Sequence, residues 1–131
     1  MLVLIRGAGD IATGIALRLC RAHIEVAMTD LPKPTAIRRT VCFSQAIVNG
    51  TAAVEDIRAR FAADCAAARA ILAAGEIPVL ADPEGRAIAE LRPDAVVDAI
   101  LAKRNLGTRI TDAPTVIGVG PGFTAGEDCH A

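Results

Sequence analysis

The first twenty residues, MLVLIRGAGDIATGIALRLC, place an apolar run, a glycine turn and a helix-type repeat in immediate succession. Leu2–Arg6 is typical of a buried β-strand, and from Asp10 onward apolar residues recur every fourth position, as on one face of a helix. The next apolar run, in IEVAMTD, alternates with other residues and ends at Asp30, which predicts a second strand. These thirty residues therefore predict a β-α-β unit.

The same alternation of strand and helix patterns continues along the chain. Helices are predicted over residues 35–48 and 64–74, and strands over residues 77–81, 95–100 and 115–119. Residues 50–63 are compatible with a strand, a helix or a mixture. Because alternating strands and helices form mainly parallel sheets, the sequence predicts an α/β, Rossmann-like fold with helices on both faces. With 131 residues, one domain covering residues 1–131 is expected.

Composition excludes several partner classes. Fourteen basic and fifteen acidic residues give a net charge of −1, and Trp and Tyr are absent, so no nucleic-acid partner is expected. No apolar stretch approaches the roughly 20 residues of a membrane helix. The four cysteines form no C-x-x-C pair and no secretory signal precedes them, so we expect a reduced, cytoplasmic protein.

The glycine turn has the pattern of a dinucleotide-binding loop, G-x-G-x-x-A. Gly7 would permit the tight turn, Gly9 would let a pyrophosphate approach the backbone, and Ala12 would let the helix pack closely on the strand. Asp30 ends the second strand, where a ribose-binding carboxylate is expected. The alternative is a plain strand-to-helix turn, with Asp30 as a solvated residue that starts the next turn.

Asp10 fits this binding loop poorly. A carboxylate at a helix start is favoured by the helix dipole, but it would repel a phosphate bound to the same N–H groups. Asp10 is therefore expected either to cap the helix or to face a metal-bridged or weakly charged ligand.

A basic run, PKPTAIRRT, follows Asp30. Its candidate ligand-binding residues are Lys33, Thr35, Arg38 and Arg39. Arginine matches phosphate in bidentate geometry, so this run could hold a second phosphate or a 2′-phosphate. A solvated basic helix face is the alternative.

A second glycine-rich segment, VIGVGPGFTAG, follows the last predicted strand. Gly118, Gly120, Gly122 and Gly126 could form an anion-binding nest of backbone N–H groups, or an irregular turn stiffened by Pro121. Since ligands of open α/β sheets bind beyond the C-terminal strand ends, we expect this loop and the first to face one crevice.

Asp98 lies inside the apolar run AVVDAI, where an ionised carboxylate is costly unless it is paired. The expected partners of a structural ion pair are Lys103, Arg104 and Arg109.

The closing EDCH offers four adjacent metal-ligand types, but neighbours in sequence cannot all face one ion. We therefore predict no metal site, and expect a helix to start after Gly126. No arrangement of residues stands out as a nucleophilic or other catalytic site.

Five blocks of the chain together resemble one family: RGAGDIATG, TDLPKPTAIRRTV, GEIPVLADPEG, VDAILAKRNLGTRI and VIGVGPGFTAG. They are similar to the N-terminal part of the YqeB-type accessory proteins of the selenium-dependent molybdenum hydroxylase system. The resemblance implies a bacterial protein that assists maturation of a molybdenum hydroxylase, with a Rossmann-like fold akin to the XdhC-type chaperones.

The resemblance also marks individual positions, including Asp10, Thr13 and Asn105, which a generic dinucleotide motif does not require. The marked positions are Gly7, Gly9, Asp10, Thr13, Gly14, Lys33, Pro34, Thr35, Arg38, Arg39, Asp82, Asp98, Lys103, Asn105, Gly107, Thr108, Gly120, Gly122 and Gly126. Members of the family continue well past the position of Ala131, so this chain is expected to be a fragment or a truncated relative.

Three functions fit these observations. The first is a nucleotide-binding accessory protein that handles a dinucleotide, either NAD(P) or a molybdopterin dinucleotide. The second is an NAD(P)-dependent oxidoreductase, although no proton donor for hydride transfer is recognisable. The third is a non-catalytic module whose loops bind the hydroxylase. A second copy of the chain, as a homo-oligomer, could supply a further wall of the site.

Overall fold

The computed structural model describes residues 1–32, 42–101 and 105–131. Strands and helices alternate along them, as the sequence predicts. In chain order the elements are β1 (Leu2–Arg6), α1 (Asp10–Arg21), β2 (Glu25–Asp30), α2 (Gln45–Asn49), β3 (Thr51–Val54), β4 (Ile57–Ala62), α3 (Cys65–Ala73), β5 (Ile77–Ala81), α4 (Ala87–Leu91), β6 (Ala95–Asp98) and β7 (Thr115–Gly118).

One sheet contains the seven strands, in the order β3-β4-β5-β2-β1-β6-β7. Every neighbouring pair is parallel except the hairpin of β3 and β4. After β1 and β2 the chain continues at the far edge with β3, returns inward through β4 and β5, and then passes to β6 and β7 on the other side of β1. The predicted Rossmann-like α/β fold is confirmed, and its topological switch point lies beside β1.

The sheet is covered on both faces, so its central strands are apolar at successive positions. In β1, Val3 and Ile5 belong to the core cluster that includes Ala12 and Ala16 of α1. Leu4, between them, belongs to the opposite cluster, to which α3 and α4 contribute. Many of these buried residues are alanines, which let the helices approach the sheet closely.

The structure differs from the prediction over residues 35–48 and decides between the alternatives for residues 50–63. Of the helix expected over 35–48, the described part holds only α2, after a turn at residues 42–44; residues 33–41 lie outside the described residues. The ambiguous residues 50–63 form the hairpin of β3 and β4, which turns at Glu55 and Asp56. Helix α3 fits its prediction: the side chain of its N-cap, Asp64, accepts the N–H of Ala67 at 2.8 Å.

The closing residues form a tight turn instead of the predicted helix. The N–H of Gly126 donates to the carbonyl of Cys129 at 2.7 Å, and Ala125 bridges to Cys129. His130 then donates its N–H to the carbonyl of Val116, so the chain end follows the edge of β7. Pairing with this edge prevents a helix here. None of the helices in the described ranges is long and apolar enough to cross a membrane.

Candidate functional site

A cleft of about 220 Å³ lies at the C-terminal ends of the central strands. Its walls are the segments that follow β1, β2, β5 and β6, together with Leu106. This is the place where open α/β sheets bind ligands, because the chain continues from β1 to β2 on one side and from the neighbouring β6 to β7 on the other. The fold therefore brings Gly7, Gly9, Asp10 and Asp30 into one cavity, as the sequence predicts.

The two glycines of the first loop have different structural roles. Gly7 has a φ of +103°, and a Cβ there would lie 2.8 Å from the carbonyl oxygen of Ala99, so only glycine fits against the segment after β6. Gly9 is the N-cap of α1, with φ −79° and ψ −162°, which any residue adopts. Gly7 is thus required by the fold, whereas the backbone at Gly9 does not itself demand glycine.

Asp30 is tied to the glycine loop. Its Oδ2 accepts the N–H of Ala8 at 3.0 Å, and its Oδ1 accepts the N–H of Leu31 at 2.7 Å. Burial raises the pKa of the carboxyl, and the two backbone hydrogen bonds lower it by less. Two of the roughly four acceptor positions of the carboxylate are used, so others remain for a ligand hydroxyl.

Asp10 does not cap the helix, contrary to one of the two expectations. It is the first residue of α1, after the N-cap, and its side chain makes no capping hydrogen bond. Its Oδ1 instead accepts the thiol of Cys42 at 2.9 Å, which holds residue 42 beside the loop. The carboxylate is left at the cleft, exposed to solvent.

Thr13 and Gly14, marked by the family resemblance, lie outside the cleft. The hydroxyl of Thr13 is buried; it accepts the N–H of Phe43 at 3.0 Å and donates to the carbonyl of Ala8 at 3.4 Å. The Thr13 hydroxyl therefore stabilises the glycine loop from outside the cleft. Gly14 is exposed, and a Cβ there would meet nothing within 4 Å.

A buried polar network that the sequence does not predict forms the floor of the cleft. The guanidinium of Arg6, 1% exposed, donates to the hydroxyl of Thr108 at 2.7 Å, and that hydroxyl donates to Asp98 at 2.6 Å. Arg6 also donates to the carbonyls of Pro83 and Leu106 at 2.9 and 3.3 Å. It therefore joins two walls of the cleft to the end of β1.

The expected ion pair of Asp98 takes a different form. Its carboxylate forms no salt bridge with Arg109, and its charge partner is Arg6, reached through Thr108; Lys103 and Arg104 lie outside the described residues. Arg6 and Asp98 are register partners at the ends of adjacent strands, so the strand pairing itself brings them together.

The wall carrying Leu106 is a turn built by Asn105. Its side-chain oxygen accepts the N–H groups of Gly107 and Thr108 at 3.0 and 2.8 Å, and its amide donates to the carbonyl of Thr108 at 2.7 Å. Asn side chains commonly form such hydrogen bonds with the backbone of the residues that follow them in a turn. Asn105 thus fixes the position of Leu106.

Asp82 shapes the opposite wall. Its carboxylate accepts the N–H groups of Arg86 and Ala87 at 3.0 and 2.8 Å, at the start of α4. These bonds fix the turn that presents Pro83 to the cleft.

The second glycine segment does not line the cleft, contrary to the expectation of one shared crevice. A Cβ at Gly118 would lie 2.5 Å from the ring of Phe123, so this glycine is required by packing. Gly120 has a φ of +100° and lies behind Leu101, whose Cδ2 would be 3.3 Å from a Cβ there. Gly122 likewise has a positive φ, of 94°. The segment therefore supports the wall of the cleft from behind.

The remaining candidates are the four residues of the basic run and the EDCH segment at the chain end. Lys33, Thr35, Arg38 and Arg39 lie outside the described residues. At the chain end, Cys129 is buried in the core, and His130 accepts the N–H of Val116 at 2.9 Å through Nδ1. Within residues 1–32, 42–101 and 105–131, no group of three or more His, Cys, Asp or Glu side chains is placed to hold a metal ion.

Comparison with known proteins finds one curated relative of high similarity. The chain is 55% identical over 130 residues to an Escherichia coli (strain K12) protein that bears the name "Uncharacterized protein YqeB". The alignment covers 99% of this chain and 24% of that protein, so the chain spans about a quarter of the length of the curated relative it matches. No family model and no solved structure matches the chain. The chain is therefore similar to a YqeB-type protein, over a stretch that is about a quarter of that protein's length.

Proposed function

We propose that this chain is a nucleotide-binding segment of an accessory protein, and that its ligand occupies the cleft beside β1. The observation that carries the proposal is the position of the cleft. It lies at the topological switch point, and it joins the glycine loop, the start of a twelve-residue helix and the carboxylate that ends β2.

Two features supply ligand-binding groups. The N-cap of α1 makes no side-chain capping bond, so the N–H groups of its first turn are left without a capping partner, and Gly9, Asp10 and Ile11 at this helix start line the cleft. Asp30 is held in place by its bonds to Ala8 and Leu31, and it can accept a ribose hydroxyl on its remaining lone pairs.

The wider role of the protein rests on the family resemblance alone. That resemblance implies work on a molybdenum hydroxylase of the selenium-dependent system, with either NAD(P) or a molybdopterin dinucleotide as the ligand. In this proposal the chain binds the nucleotide, and the hydroxylase or another part of the protein completes the site.

The proposal is tested with freshly purified protein. Mass spectrometry under native conditions identifies a retained nucleotide by its mass. Thermal-shift titrations with adenine and cytosine nucleotides then compare the wild type with Gly9→Val. We expect the wild type to be stabilised by at least one nucleotide and the variant by none, because the valine side chain would fill the space between backbone and ligand.

Gly14→Ala is the matched control, since Gly14 lies on the same helix but outside the cleft. It should respond to nucleotide as the wild type does. Each shift is measured from the variant's own ligand-free midpoint, because valine at an N-cap costs about 1 kcal/mol by itself. Equal shifts for the wild type and Gly9→Val would refute the proposal.

A further inference from the structure

The rim of the cleft is unusually apolar for an exposed surface. Four aliphatic side chains line it while remaining 41–50% exposed: Ile11, Leu31, Leu101 and Leu106. The other exposed large apolar side chains of the described residues, Met1, Val48 and Phe61, lie elsewhere. Exposed apolar groups gathered around one cavity are typical of a ligand-binding groove.

The guanidinium at the floor of the cleft already has protein partners at both terminal nitrogens, and its unpartnered Nε lies beside Gly85, which does not line the cleft. Arg6 is the one Lys or Arg among the described residues that lines the cavity. Its guanidinium is buried, donates to Thr108, Pro83 and Leu106, and is balanced by Asp98 through the Thr108 hydroxyl. A phosphate group entering the cleft would therefore compete with bonds that hold its walls together.

The charges nearer the glycine loop are negative. Asp10 opens α1 with an exposed carboxylate, and the Ala8 N–H is occupied by Asp30. A phosphate bound at the N-terminus of α1 would thus lie beside the carboxylate of Asp10. The helix dipole attracts that phosphate and the carboxylate repels it.

On the basis of the proposed function, we propose that the cleft selects an uncharged nucleoside moiety, and that Asp10 is the residue that discriminates against a free diphosphate. The aliphatic rim covers the faces of the base, Asp30 accepts from the sugar, and Asp10 disfavours phosphate at the helix start. Any phosphates of the ligand then extend out of the cleft.

The test compares nucleosides with their diphosphates in a buffer containing EDTA, so that no divalent cation screens the phosphates. Calorimetry gives the dissociation constants of adenosine, ADP, cytidine and CDP for the wild type and Asp10→Asn. The asparagine keeps an oxygen that accepts the Cys42 thiol, so the fold is retained, and thermal unfolding checks this.

We expect the wild type to bind its preferred nucleoside at least as tightly as the matching diphosphate. Asp10→Asn should tighten diphosphate binding by about tenfold, the scale of one like-charge contact near a protein surface, and leave nucleoside binding unchanged. Asp64→Asn is the matched control: it removes the same charge from the start of α3, where Asn caps as well as Asp. This variant should bind all four probes as the wild type does.

An unchanged ratio of diphosphate to nucleoside affinity in Asp10→Asn would overturn the inference while leaving the proposed function in place. A wild type that binds the diphosphate more than tenfold tighter than the nucleoside would do the same. No binding of any probe to the wild type or the variants would refute the proposed function, and the inference with it.

Discussion

At the scale of single residues, Gly7 and Gly9 belong to one motif but occupy different conformations. Gly7 lies in the left-handed region and touches the backbone of Ala99, while Gly9 is extended and caps α1. The G-x-G-x-x-A motif assigns a ligand-binding role to both glycines. The structure gives them different roles. The segment after β6 lies so close to Gly7 that glycine is required there even without a ligand.

We predict that Gly7→Ala lowers the free energy of unfolding by about 2–4 kcal/mol, because a Cβ there is strained and overlaps the carbonyl of Ala99. Gly14→Ala, in the exposed face of α1, should raise it by about 0.5–1 kcal/mol, since alanine is the better helix former. Urea denaturation measures both. A Gly7→Ala protein as stable as the wild type would contradict the close contact.

A second prediction concerns Asp30 and pH. Burial raises the pKa of this carboxyl in the folded state, so the folded protein binds the proton more tightly than the unfolded chain. The stability that this proton contributes is fully present below about pH 3.9, the ordinary value for aspartate, and is lost as the pH rises through the folded pKa. The wild type should therefore lose stability relative to Asp30→Asn as the pH rises above about 3.9.

The measurement is the difference in unfolding free energy between the two proteins at a series of pH values. Taking the difference cancels the other titrating groups, and a constant offset from the altered bonds to Ala8 and Leu31 does not affect the slope. If the wild type instead gained stability relative to Asp30→Asn as the pH rises, hydrogen bonding would outweigh burial at this carboxyl.

At the scale of elements, the strands and the longer helices could be predicted because their apolar pattern records the two covered faces of the sheet. The hairpin of β3 and β4 could not, since its small and charged residues, in TAAVEDIRARFA, carry no clear period. The five-residue helix α4 is too short for a helical repeat to appear.

The polar network at the floor of the cleft could not be predicted from the sequence, for a different reason. The sequence marks Asp98 as a costly buried charge, but it predicts the partners among the cations that are near in the chain, at positions 103, 104 and 109. The true partner, Arg6, lies on the neighbouring strand and is reached through an uncharged hydroxyl. The signal that was available is that Arg6 and Asp98 each end an apolar strand.

We predict that Thr108→Val destabilises the protein by about 2–4 kcal/mol, because it leaves Arg6 and Asp98 buried without their shared partner. Thr108→Ser keeps the hydroxyl and should cost less than about 1 kcal/mol. Thr111→Val, at an exposed position, is the control. Equal losses for the valine and serine variants of Thr108 would show that its methyl group, rather than its hydroxyl, stabilises the fold.

At the scale of the whole molecule, the described walls of the cleft all come from segments beyond the C-terminal ends of the strands. Catalysis depends on positioning a reacting partner and excluding water as well as on binding. In the described residues, each carboxylate that lines the cleft already accepts hydrogen bonds from the protein: Asp10 from the Cys42 thiol, Asp30 from the backbone of the glycine loop and of Leu31, and Asp82 from the start of α4.

We therefore predict that this chain alone does not oxidise NADH or NADPH at an enzymatic rate, even where it binds them. Absorbance at 340 nm follows cofactor oxidation with a panel of carbonyl acceptors and dyes, and Gly9→Val supplies the background. Steady turnover near 1 per second, at the low end of ordinary enzymes, that disappears in Gly9→Val would favour the oxidoreductase instead.

The position of β1 between two partners from different parts of the chain also sets an order of assembly. Val3 pairs with Val26 on one side, but on the other with Ala95, 92 residues further along the chain. Contacts between such distant residues form slowly, and during synthesis the N-terminal residues leave the ribosome first. The glycine loop thus emerges well before residues 99–101 and Leu106, which form its opposite wall. A newly made chain holds the motif long before it holds a site.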